Sequence, residues 1–247
     1  MKRFFNWQVM FGLLLISLSA VIYYIHYLIF RDLHNIVFYL ISNLAFVFIQ
    51  VLLVTLVLEE FLVYREKKAM LNKLNMVIGT FFSEVGTELL KRVSAFDKNA
   101  SKITQQLVVT NDWSNQDFLK ILKIVKSHNC DIDSRQGNLE SLKDFLKVKR
   151  QFLLVLLENP NLLEHESFTN LLWATFHLTD ELVQRSRLTG LPDADYKHLA
   201  GDINRVYDLL ITEWLRYMEH LKNKYPYLFS LAIRTNPFDA AASVELK

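Results

Sequence analysis

The chain has 247 residues, of which 51% are hydrophobic, 13% aromatic and 22% charged, so apolar and charged residues must be segregated along it. Six Gly and four Pro are too few to punctuate a turn-rich β architecture, and a net charge of +2 is too small to imply a polyanionic partner. The single cysteine, Cys130, excludes an internal disulfide and fits a reducing compartment.

An all-α fold is therefore predicted, beginning with a short basic N-terminus over residues 1–8. The run VMFGLLLISLSAVIYYIHYLIF, Val9 to Phe30, holds 22 residues without Asp, Glu, Lys or Arg, enough to cross a hydrocarbon core that needs about 20. After the connection RDLHN, residues 31–35, the run from Ile36 to Leu58 again lacks a formal charge over 23 residues. The pattern predicts two transmembrane helices, 9–30 and 36–58, joined as a hairpin by an external loop. A cleaved signal peptide is the alternative for the first, since Lys2 and Arg3 precede it and Ser17-Leu18-Ser19 resembles a cleavage site. Its apolar run, however, outlasts the roughly 7–15 residues of a signal core.

Lys2 and Arg3 precede the first span, Arg65, Lys67 and Lys68 follow the second, and only Arg31 lies between them. The positive-inside rule then places both termini in the cytoplasm and the chain in an inner or plasma membrane. Tyr23, Tyr24, Tyr27 and Tyr39 sit near the outer boundary and Trp7 near the inner one, with His26 and His34 also interfacial. Asn43 and Gln50, seven residues apart, share one face of the second span. They are expected to make polar contacts within the hairpin or between protomers, the competing reading being a pore lining.

From residue 59 to 97 the second span is expected to continue as a membrane-proximal stalk helix. Its Leu71, Leu74, Ile78, Phe81 and Val85 follow a 3-4-3-4 spacing, a stripe that packs on another helix but is too short for a coiled-coil assignment. Gly79 and Gly86 share a face and suggest either a hinge or a close helix crossing. Removing Lys2, Arg3, Arg31 and Asp32 leaves the remainder formally neutral, without the basic excess of a nucleic-acid footprint.

Residues 98–239 read as a cytoplasmic helical bundle. KNASKITQQ is irregular; Ser114 caps a helix with Asp117 at its third position; a loop spans His128 to Gly137. Helices follow over about 139–157, 167–187 and 194–224, broken by Asn159-Pro160-Asn161, by a GLPDAD turn in which Asp193 is a cap, and by Pro226. The first of these carries Leu142, Phe145, Leu146, Phe152, Leu153 and Leu156 as its apolar face. Tyr225, Tyr227, Phe229 and Phe238 give the end of the chain a core-like composition. A short helix from Tyr227 to Arg234, with Tyr227, Leu228, Leu231 and Ile233 as contacts, is expected to close the bundle, or else to offer a partner surface. A mobile tail, 240–247, follows. Asn236-Pro237-Phe238-Asp239 resembles the short peptide that eukaryotic endocytic adaptors read, a likeness confined to four residues.

No GxxxxGK[ST], GxGxxG, GxSxG or HExxH occurs, so no catalytic residue is assigned and no cofactor is predicted. His128 and Cys130 read as an ordinary loop, lacking a second pair at zinc spacing. His177, Asp180, Asp195, His198 and Asp202 form a weak metal-ligand set on consecutive helices, with a solvated polar face as the competing reading. Glu213 lies among apolar positions. The chemistry is thus that of a membrane anchor or adaptor whose cytoplasmic bundle binds a protein or couples a signal. Its expected partners are the lipid bilayer, further copies of itself as a homo-oligomer and an unidentified cytoplasmic protein, with no nucleic acid. The alternatives are an oligomeric channel lined by the second span and a membrane-tethered metal-binding bundle.

Overall fold

Long apolar runs without Pro produce two long helices at the start of the chain, α1 Lys2–Phe30 and α2 Leu33–Phe81. The computed structural model describes residues 2–128, 130–160, 162 and 165–245. These residues are overwhelmingly helical and contain no strand; a single isolated bridge joins Asp97 to Ile132. Arg31 turns between α1 and α2 with φ 48°, and Asp32 accepts the Asn35 N–H at 3.2 Å, so that α2 starts at once. The connection therefore contracts from Arg31–Asn35 to Arg31 and Asp32.

The chain divides into two compact units, Met1–Lys67 and Lys68–Lys247. In the first, both helices contain segments long and apolar enough to cross a membrane. Their large apolar side chains stay exposed, Ile16 at 68% and Phe48 at 74% among them.

The second unit is a helical bundle. Leu74, Ile78 and Phe81 of α2 are buried, and so are Phe82 and Val85 in the π-helical turn Phe82–Gly86 and Leu89, Leu90 and Val93 in α3, Thr87–Ser94. This corrects the stalk reading for residues 68–97: the 3-4-3-4 stripe finds its partner inside the bundle, and only Leu71 of that stripe is exposed. The π turn is closed by the Thr87 N–H bonding to the Phe82 carbonyl, which also accepts the Thr87 hydroxyl at 2.9 Å.

KNASKITQQ folds as α4, Ala100–Thr104, and a 3₁₀ turn, Gln105–Leu107, because Ile103 and Leu107 reach the core. Helix α5, Asn115–Ser127, opens with the Ser114–Asp117 capping box: the Asp117 N–H donates to Ser114 Oγ at 3.3 Å and the Ser114 N–H to Asp117 Oδ2 at 2.7 Å. Helix α6, Leu139–Leu157, is capped by Asn138, and α7, Glu166–Gln184, by the ring of His165. Part of the breaker between them, Asn161, lies outside the described residues.

Helix α8, Asp193–Lys224, is the central element, packing on α3, α5, α7 and the last helix, α9, Pro226–Arg234, while α6 packs on α7 and α3. Asp193 is not the cap of α8. Pro192 occupies that position without a side-chain bond, and Asp193, the first helical residue, pairs with Arg135 instead.

Pro226 stands at the start of α9, where its missing N–H costs nothing. The aromatic end of the chain divides in two. Phe229 and Phe238 are buried, the latter edge-on to Trp214 at 5.2 Å between ring centres, whereas Tyr227 is 72% exposed and Tyr225, Leu228 and Leu231 are exposed as well. Closure thus falls to the phenylalanines rather than to Tyr227, Leu228 and Leu231, because the core side of α9 passes through Phe229. Asn236 is buried, donating to the Leu107 carbonyl at 3.0 Å and accepting the Phe238 N–H at 2.9 Å. The segment Asn236–Asp239 therefore has its first and third side chains inside the fold, not displayed as a peptide. Of the tail, Leu246 and Lys247 lie outside the described residues, as does Met1 of the N-terminal segment.

Candidate functional site

Two clusters of titratable side chains form within the bundle, one on the residues singled out by the sequence and one elsewhere. The first lies where α7 meets α8. His177 Nε2 is 3.6 Å from Asp202 Oδ2, His198 Nε2 is 3.3 Å from the same oxygen, and His198 Nε2 is 3.4 Å from Glu181 Oε2. Asp202 is only 4% exposed, so the solvated-face reading fails for it: this side of α8 is covered by α7. Its Oδ1 accepts from Arg205 Nη1 at 3.1 Å. The two histidines are half-exposed. Glu181 pairs with Arg185 at 2.6 Å, and that hydrogen bond holds its carboxyl below the usual carboxylate range.

Asp180 and Asp195 do not join this group. Arg150 takes Asp180 at 3.1 Å and Arg185 takes Asp195 at 3.2 Å. Three of the five sequence-selected residues thus converge, His177, His198 and Asp202, while guanidinium groups claim the other two.

The second cluster is built by the loop that follows α5. This loop is pinned across the end of α3: Lys98 N–H donates to the Asp131 carbonyl at 3.0 Å and Asp133 N–H to the Phe96 carbonyl at 2.9 Å. Asp97, 4% exposed, accepts the N–H groups of Asn99 and Asp131 on Oδ1 at 2.9 and 3.1 Å. Its Oδ2 is buried with no hydrogen-bond partner, and His128 Nε2, 3.9 Å away, is in the same condition. Cys130 completes the group, with donor atoms of all three residues within 4.8 Å of one another.

Helix α8 supplies the far wall of this cluster. The Cys130 thiol donates to Asp208 Oδ1 at 3.4 Å, and Asp208 Oδ2 accepts from Asn204 at 3.2 Å. Tyr207 is fully buried, its hydroxyl also without a partner. Burial pushes the Cys130 thiol and the Tyr207 phenol up, and the charges of Asp208 and Asp97 push both further. Asp208 is exposed over much of its surface, yet its carboxyl is desolvated enough to titrate above its usual value. Among the described residues, no lysine or arginine forms an ion pair with Asp97 or Asp208.

The loop reading of His128 and Cys130 is right about their backbone and misses their company. The neighbouring pair is visible in the sequence; its carboxylate partners come from the end of α3 and from α8, and no local spacing announces them.

Elsewhere, Glu213 is 1% exposed and pairs with Arg216 at 2.6 Å. Asn43 and Gln50 are exposed on α2. Gly86 lies under the rings of Phe81 and Phe82, whereas Gly79 faces Tyr217 at ordinary contact distance.

Comparison with known proteins gives a consistent division. Residues 2–62 match a family described as the MJ1433 N-terminal helical domain and residues 70–234 one described as the C-terminal helical domain of the uncharacterized protein MJ1433. The uncharacterized protein MJ1433 of Methanocaldococcus jannaschii is 48% identical over 234 residues, covering 95% of this chain and 94% of that protein. No solved structure matches the chain.

Proposed function

We propose, for a chain that belongs to the MJ1433 family, the role of a membrane anchor or adaptor whose helical bundle works on the cytoplasmic side by binding a protein partner or coupling a signal. The observation that carries this reading is the exposure of large apolar side chains over two helical segments of spanning length, Val9–Phe30 and the early part of α2. Left in water, such surface is unfavourable by about 25 cal/mol for each Å², and a bilayer removes that cost. The basic residues Lys2, Arg3, Arg65, Lys67 and Lys68 against Arg31 support a hairpin with both ends cytoplasmic.

Alkaline extraction of membranes from expressing cells is the direct test. Retention in the pellet, with a reporter accessible from the cytoplasm at the C-terminus and from outside at the Arg31–Asp32 connection, is expected. Release into the supernatant would overturn the anchor.

The exposed amides of Asn43 and Gln50 favour assembly of several copies through α2, and the same assembly could enclose a conduit. Ion flux through reconstituted liposomes, abolished in Asn43→Leu with Gln50→Leu, would replace the adaptor reading by a channel. Crosslinking in mild detergent reports the number of copies and any protein held by the bundle.

A further inference from the structure

We propose that Asp97, His128 and Cys130, with Asp208 beside the thiol, form a site for one divalent transition-metal cation of the zinc type, closing the loop after α5 onto α3. The donor set is a thiolate, an imidazole and a carboxylate, a combination that suits a borderline cation and not calcium or magnesium, which take oxygen donors. The site adds to the membrane role and does not depend on it.

Three observations support it. Asp97 Oδ2 and His128 Nε2 are buried without a partner and stand 3.9 Å apart. Buried polar atoms are rarely left so, and a cation between them satisfies both. Tetrahedral zinc with bonds near 2.0–2.3 Å places its donors roughly 3.3–3.8 Å from one another; Asp97 and His128 stand 3.9 Å apart and Cys130 lies within 4.8 Å of both, so the three need only a modest closure. The outer contacts are already those of a metal site: two backbone N–H groups fix Asp97 through Oδ1, and Asp208, held by Asn204 through Oδ2, stands 3.4 Å from the Cys130 sulfur.

Charge separates this cluster from the one at His177, His198 and Asp202. There, Arg205 sits on Asp202 and Arg185 on Glu181, so positive charge is provided by the chain itself. Among the described residues the only ion-pair partner of Asp97 is His128, and an imidazole that binds metal is neutral. The exposed side of Asp208 leaves an approach for the cation from solvent. As the metal–sulfur bond forms, the Cys130 proton passes to water, and the sulfur is neither oxidised nor reduced. Three protein donors leave a fourth position for water or, after a small movement, for the Asp208 carboxylate.

The test is cobalt(II) titration of the full chain in detergent after removal of metal by a chelator, followed by displacement with zinc. One equivalent is expected, with a thiolate-to-cobalt charge-transfer band and a rise in unfolding temperature. Cys130→Ala should abolish the band, and His128→Gln should weaken binding at least about 100-fold, the upper range for disturbing a metal's surroundings. His198→Gln should leave both unchanged. Absence of stoichiometric metal, cobalt bound without the thiolate band, or binding lost in His198→Gln but kept in Cys130→Ala would each overturn the site. The band on the wild type decides the matter even where a variant fails to fold.

Discussion

Replacing Gly86 by alanine adds one methyl group where a Cβ lies 2.5 Å from Cδ1 of Phe82 and 2.8 Å from Cε1 of Phe81. Neither ring can step aside. Phe82 stacks on Tyr217 with ring centres 5.0 Å apart, Phe81 meets Phe168 edge-on at 5.3 Å, and both phenylalanines are buried. Alanine gains about 1 kcal/mol over glycine in helix propensity, while inserting volume into a packed core costs about 1–3 kcal/mol. The upper end applies here because the contacts fall below any normal carbon separation, so a net loss of about 1–2 kcal/mol is expected. Gly79→Ala is the internal control: its Cβ would stand 3.6 Å from Tyr217, an ordinary contact, and the variant should gain about 0.5–1 kcal/mol. Thermal unfolding of the full chain in detergent should show opposite displacements, with each 1 kcal/mol moving the midpoint by about 2–4 °C. Stabilisation by both substitutions would refute the packing argument at Gly86. Destabilisation by Gly79→Ala would instead point to a hinge that needs glycine.

Further expectations concern the core, a buried pair and acid sensitivity. Phe238→Ala empties the place beside Trp214 and should cost about 3–5 kcal/mol, so truncation before Tyr225 should lower stability sharply and truncation before Ala240 should not; equal midpoints for both would show that the segment is not part of the core. Arg216→Ala strands the buried Glu213 carboxylate and should cost about 2–3 kcal/mol, less than the roughly 3–5 of a fully buried pair because Arg216 is partly exposed. Adding Glu213→Gln should recover most of that loss, and no recovery would mean that the charge is not its source. Burial, and after it Lys224, holds the His220 imidazole below its ordinary value of 6.5. Its contribution is therefore present above about pH 6.5 and lost as pH falls through the lower folded value, so unfolding scans from about pH 7 to about pH 5 should fall more steeply for the wild type than for His220→Gln. Parallel slopes would exclude the residue as a source of acid sensitivity.

Helix positions were legible wherever a local signal set them. The Ser114 and Asp117 pair announces the start of α5, Pro226 the end of α8, and the leucine spacing of α6 its inner face. What the pattern could not supply was the partner of each face. The stripe from Leu74 to Val85 reads equally well as a stalk seam or as a core wall, since periodicity specifies that a face is covered and not by which helix. Residues 68–97 become part of the bundle because α8 presents Tyr217 to them, a residue far along the chain. Likewise Tyr227 and Phe229 are indistinguishable by composition, and only the direction in which α9 leaves Pro226 decides which one enters the core.

The clusters show the same limit from the side of chemistry. Sequence spacing identified His177, His198 and Asp202 because regular helices put residues three and four apart on one face. It could not foresee that arginines outside that pattern would draw off Asp180 and Asp195. Asp97, His128, Cys130 and Asp208 share no helix and no period. Their meeting depends on a loop held by backbone hydrogen bonds to Phe96 and Lys98, and the distinction between the two clusters lies in which one has its negative charge answered by the chain. Where Arg205 and Arg185 already answer it, a cation adds little. Where a buried carboxylate faces only histidine, thiol and a second acid, a divalent ion supplies the missing positive charge, and the geometry of the loop is the reason that the ion finds three donors at once.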